Sequence, residues 1–186
     1  MLVEVCKQQV SPDALLTLKA CLGDPQGLSD ALDAGAISVM TAALSNRDPF
    51  VLQSALKNLA FLTNPAHAKE EAIAAGAVGP VCKHLQHAEW PVRAAAACSI
   101  ASIALDVEGK KKAFEAGAAQ SLIGLLRDKN LPVVLLSVRA LGVLAEYKRH
   151  CLSTPQVCVS VSVCVSVSVS VCVCVCVCVR ARAYAC

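Results

Sequence analysis

An all-α solenoid of stacked helical units is the fold class this sequence predicts, and three observations predict it. Three Ala-Gly-Ala triplets, centred on Gly35, Gly76 and Gly117, recur 41 residues apart, and self-similarity at a fixed period of this size marks a repeat array. Proline and glycine stand at matching places in each copy. Apolar residues between them recur at the spacing of one helix face.

The copies align in detail. Ten residues after each opening Ala come Leu44, Leu85 and Leu126, then a polar stretch with Pro49, Pro91 and Pro132. Val51, Val92 and Val133 follow, then Leu59, Ile100 and Leu141, then Leu62, Ile103 and Leu144. Residues 1–33 read as a worn, partial copy. In it, Ser11 caps a helix with Pro12 in its first turn and Leu15, Leu16 and Leu18 behind. Gly23, Asp24 and Pro25 stop that helix, and a short one over Leu28 to Ala34 is closed by Gly35, since glycine enters the left-handed conformation without a Cβ penalty.

The full units, 34–74 and 75–115, and the truncated 116–150, read as helix, turn, helix, turn, helix. In the central one, Pro80 lies in the first turn of a helix reaching about Gln86, and Pro91 opens a longer helix with Val92, Ala96, Ile100 and Ile103 on one stripe. Gly109 is expected to break the chain before a short helix from Lys110 to Ala116. One such unit cannot bury its stripe alone, so neighbours must stack and share a core. Because the array stops after the long helix of its last copy, Leu135, Leu141 and Leu144 are expected to be partly uncovered, giving marginal stability and self-association through that uncapped end.

Composition narrows the function. With 17 basic and 14 acidic residues and a net charge of +3, nothing points to nucleic acid or a membrane surface. Of the 12 cysteines, Cys6, Cys21, Cys82, Cys98 and Cys151 are scattered on helical stretches and read as reduced, buried thiols. Glu4 and Lys7 interrupt the first apolar run, so it does not read as a signal peptide. Cys82, His84 and His87 have the composition of a metal cluster. On one helix, however, residues two apart point about 200° away from each other, so no site is expected. Trp90 reads as a plug between units or an interface anchor. No nucleotide loop, catalytic motif or paired carboxylates on a shared face appear, and the expectation is a non-enzyme without a cofactor.

With these residues set out, the pattern of Ala-Gly-Ala, a ten-residue apolar helix, a polar loop with Pro and then Val and the Leu/Ile stripe resembles the armadillo repeat. The resemblance covers 34–150, extends loosely over 1–33 and excludes 151–186. It implies a right-handed superhelix and a non-catalytic scaffold that binds a protein or peptide along a groove lined by the family's third helices, here the long helices near Pro49, Pro91 and Pro132. The strings EGKKKAFEAGA, LIGLLRDKN and ALGVLAE resemble armadillo proteins of motile cilia, of the radial-spoke-head and sperm-associated-antigen types, which implies a cytoplasmic or axonemal setting. Nuclear-import receptors of the family grip peptides with a Trp and Asn ladder. The matching Asn positions hold Asn58, Ser99 and Ala140, and the Trp positions Ser54, Ala95 and Leu136, so that reading is the alternative. The candidate partner-binding residues are Lys57, Asn58, Ser99 and Arg139; Lys57, Arg93 and Arg139 on these helices read either as a mildly basic groove for acidic or mixed partners or as ordinary solvated helix faces.

The segment 151–186 differs in kind. From Val157 to Val179 every second residue is Val and the rest are Ser or Cys. As protein this is a strand pattern far longer than the usual ~5–6 residues, prone to aggregate, or a poor membrane span. As codons, Val-Cys is what a GT dinucleotide repeat encodes. A low-complexity tail, disordered or strand-like, is expected, and a truncated gene-model fragment read past an exon end near His150 is a further alternative.

Overall fold

In the computed structural model, residues 3, 4, 6, 11–151, 161–165 and 173–177 are described. The chain divides into two compact units, 1–144 and 145–186. Among the described residues, ten helices from Pro12 onward follow the 41-residue plan. They are α1 (Pro12–Cys21), α2 (Pro25–Asp33), α3 (Ala36–Ala43), α4 (Pro49–Leu62), α5 (Ala66–Ala74), α6 (Val78–His84), α7 (Trp90–Ile103), α8 (Val107–Glu115), α9 (Ala118–Leu125) and α10 (Leu131–Cys151).

Their ends are written in the sequence. Ser11, Asp24, Asp48 and Asp106 accept hydrogen bonds from first-turn amides of α1, α2, α4 and α8, satisfying donors that have no partner inside the helix. Pro12, Pro25, Pro49 and Pro91 occupy first turns, where a missing N–H costs nothing. Gly35, Gly76 and Gly117 turn the chain between a short helix and the next at φ of +76°, +70° and +74°, a region in which a Cβ is crowded.

Packing repeats with the same period. The long helices α1, α4 and α7 lie side by side in chain order, and α3 and α6 pack on α4 and α7. α5 bridges toward α8. One continuous core runs through Leu15, Leu18, Ile37, Met40, Leu52, Leu56, Leu59, Leu62, Leu85, Ile100, Ile103 and Leu122. Helix α1 keeps the register of the later long helices. The Leu15 carbonyl receives Asn58 as the Leu56 carbonyl receives Ser99, 43 residues on in both cases.

Two expectations are corrected. Gly109 does not break the chain before a short helix; it lies in the first turn of α8, which starts at Val107 and is capped by Asp106. Leu144 is buried at 1% exposure, Leu141 is half-buried, and Leu135 alone of the three is open at 58%. Leu144 belongs to the shared core with its counterparts Leu62 and Ile103, whereas Leu135 does not.

At the core position shared by Ala55, Ala96 and Ser137, all three residues are fully enclosed, and the Ser137 hydroxyl has no hydrogen-bond partner. Burying a lone hydroxyl is unfavourable and Ala is the best helix former. Ser137→Ala is therefore expected to stabilise the fold by about 1 kcal/mol, read as a higher midpoint in urea.

In the second unit, Val161–Val165 and Val173–Val177 form β1 and β2, paired antiparallel with Val161 opposite Val177 and Cys164 opposite Cys174. The single long strand pattern is thus divided into two strands of 5 residues each. The rest of 157–179 lies outside the described residues, as does the expectation of disorder. Among the described residues no helix is long and apolar enough to cross a membrane.

Candidate functional site

A residue on a long helix has four directions available: into the core, toward the preceding unit, toward the next unit, or outward. Asn58 and Ser99 take the second. Both are fully buried. Asn58 Nδ2 donates to the Leu15 carbonyl at 2.8 Å and Ser99 Oγ to the Leu56 carbonyl at 2.7 Å. The next turn repeats the device, since Ser102 Oγ donates to the Ala60 carbonyl at 3.0 Å and lies 2.9 Å from Thr63 Oγ1. These polar groups tie unit to unit and are closed to a ligand.

The outward direction belongs to the register of Leu16, Lys57, Cys98 and Arg139, again 41 residues apart. Leu16 is 56% exposed, Arg139 is exposed, and Lys57 and Cys98 are half-buried. The structure therefore leaves Lys57 half-buried and Arg139 exposed, while Asn58 and Ser99 are enclosed against the preceding unit. Phe61, 42% exposed, stands one turn from Lys57, with the Lys19 ammonium 5.8 Å from its ring centroid, a cation–π geometry. Partial burial lowers the Lys57 pKa, the Lys19 charge lowers it further, and Cys98 pulls the other way. Leu16, Lys19, Phe61 and Cys98 were missed in the sequence. The signal for three of them was the 41-residue register of Lys57 and Arg139, extended to the neighbouring copies and one turn along.

The composition that resembled a metal site is dispersed. Cys82 is buried and its thiol is pushed up to about 12 by burial, an inert group. His84 Nε2 lies 2.9 Å from the Leu44 carbonyl of the preceding unit. Among the described residues, no three His, Cys, Asp or Glu side chains gather to hold a metal. Cys6, Cys21, Cys82 and Cys98 are free thiols. Trp90, 42% exposed, opens α7 at the rim with Phe50, 71% exposed, at the same end of α4.

Arg93 and Asp128 make a charged, doubly contacting link between units. Arg93 Nη2 and Nε lie 2.6 and 2.8 Å from Asp128 Oδ2, and Arg93 Nη1 donates to the carbonyls of His87 and Ala88. Burial alone would raise the Asp128 pKa, but hydrogen bonds from the Asn130 backbone and side chain, with Arg93, outweigh it and hold the carboxyl below its usual range.

No protein-family model matches the sequence, and no curated protein matches it significantly. Solved structures do. An engineered protein superposes with a TM-score of 0.73 at 26% identity, over 77% of this chain and 62% of its own. A designed armadillo repeat protein, solved in complex with the peptide (KR)4, gives 0.68 at 28% identity over 78% of this chain and 70% of its own. Computationally designed armadillo repeat proteins for modular peptide recognition give 0.68 at 28% identity over 77% of this chain and 64% of theirs. The chain spans 62%, 61% and 36% of the length of three engineered proteins it matches. Its repeats, caps and stacked long helices are those of the armadillo fold, and this chain is an armadillo-type α-solenoid.

Proposed function

We propose that the chain is a non-catalytic interaction scaffold that binds an extended, acidic segment of a partner protein across the open face of its long helices. The observation that carries this is the outward register of Leu16, Lys57, Cys98 and Arg139. It is the face left open when the other directions are taken by core and neighbours. The similarity to structures designed for modular peptide recognition supports a peptide-binding role. Lys57 and Lys19 repel each other, and a carboxylate between them relieves that repulsion, whereas a basic cargo adds to it. Lys57 and Arg139 meet the partner; Asn58 and Ser99 hold the helices that carry them. The resemblance of the strings EGKKKAFEAGA, LIGLLRDKN and ALGVLAE to motile-cilium armadillo proteins makes the cytoplasm, and within it the axoneme, the setting we favour.

A basic cargo is the second reading, because one similar design was solved with (KR)4. Anisotropy of a fluorescein-labelled octapeptide of Asp and Glu against labelled (KR)4 separates the two. The acidic probe is expected to bind more tightly, and Lys57→Glu with Arg139→Glu to weaken it by about tenfold or more. Tighter binding of (KR)4, or no change in the double variant, would sink the acidic reading.

A further inference from the structure

Phe61 is a large apolar residue left open inside the array, not at an end of it. Helix α4, which carries it, has α1 packed on one side and α7 on the other. The 42% exposure of Phe61 therefore does not depend on where the sequence starts or stops. The equivalent position in α7 holds Ser102, which is 8% exposed and donates to the Ala60 carbonyl of the preceding unit. A hydroxyl is accommodated between two long helices at this position, whereas a phenyl ring extends beyond them.

Two cations stand beside that ring. The Lys19 ammonium lies 5.8 Å from its centroid, and Lys57 is one turn before it on α4. Among the described residues neither ammonium has a carboxylate within ion-pair distance, and each charge acts on the other. Ion pairs at partly exposed lysines add little and are screened by salt, so charge alone gives an acidic segment a weak hold here. Burying the open part of an aromatic ring adds more. The separation of ammonium and ring also limits what can engage both. Residues two apart in an extended segment point to the same side, about 6.6–7 Å from each other, which matches it.

Resting on the acidic-segment reading above, we propose that Phe61 seats a bulky apolar side chain of the partner segment, two residues away from an Asp or Glu whose carboxylate lies between Lys19 and Lys57. The partner motif is thus an acid and an apolar residue separated by one position. A segment of acids alone leaves the ring in water. An apolar segment without acids leaves the two ammonium groups facing each other.

Fluorescence anisotropy of the full chain under reducing conditions with two fluorescein-labelled octapeptides tests this. One consists of Asp and Glu throughout; the other is the same with Phe at its fourth position. The Phe peptide is expected to bind about tenfold tighter although it carries one charge fewer. Phe61→Ser, the residue found at this position in α7, is expected to bring the two peptides to within about twofold of each other. Phe61→Leu keeps an apolar surface and is expected to retain most of the preference, so a loss in Phe61→Ser is not a loss of fold. Equal or tighter binding of the all-acid peptide by the wild type overturns the apolar seat and leaves the acidic reading standing. A preference that survives in Phe61→Ser puts the apolar contact elsewhere and overturns the seat too. Failure of both peptides to bind removes the acidic reading and the seat with it.

Discussion

Gly109→Ala is expected to destabilise the fold by about 2 kcal/mol, a fall in melting temperature of roughly 4–8 °C for a chain of this size. The sign is not obvious in advance. Gly109 lies inside α8, where Ala in place of Gly usually gains about 0.5–1 kcal/mol. Here a Cβ would overlap the carbonyl oxygen of Ile103, the last residue of α7. Backbone cannot move aside as a flexible side chain can, so the clash outweighs the helix gain. Gly142→Ala is the control: it also sits within a helix, but nothing lies within 4 Å of its added Cβ, so it shows the gain without the clash. Thermal melts of the two variants should move in opposite directions.

Arg93→Ala is expected to be the most damaging polar substitution, at about 2–3 kcal/mol. It leaves the Asp128 carboxylate, whose side chain is 7% exposed, with only Asn130 as partner. It also frees the carbonyls of His87 and Ala88 at the loop that precedes α7. The pair carries a pH signature. The folded pKa of Asp128 is depressed, so its contribution is fully present above the unfolded value of about 3.9 and is lost as pH falls through the folded value. Urea midpoints of wild type and Arg93→Ala should therefore differ most near neutrality and converge as pH drops below about 4. A gap that stays constant down to acid pH would show that the pair adds nothing beyond packing.

The period of 41 residues made the solenoid legible, because a unit that cannot bury its own stripe forces stacking whatever its other residues are. The Ser11 cap, the first-turn prolines and the helix-closing glycines were legible because each solves a local backbone problem visible in the sequence, whereas the aspartate caps Asp24, Asp48 and Asp106 were not read. The site was less legible. Adjacent residues on a helix point about 100° apart, so Lys57 faces outward while Asn58 is enclosed against the preceding unit. Periodicity gives the spacing of equivalent positions but not the direction that one of them takes; that phase is set by how neighbouring units lean on one another. Gly109 misled for a related reason. A glycine in sequence looks like a helix break, but here it marks the closest approach of one helix to the end of another.

The central claim is that a partner meets the outward register of the long helices, and amide chemical shifts of the isotope-labelled chain during titration with the Asp/Glu octapeptide test it most directly. The account predicts shifts concentrated at Lys19, Lys57, Phe61, Cys98 and Arg139, with α2, α5 and α8 unmoved. Shifts confined to α2, α5 and α8, or spread evenly over both sides of the array, would contradict it.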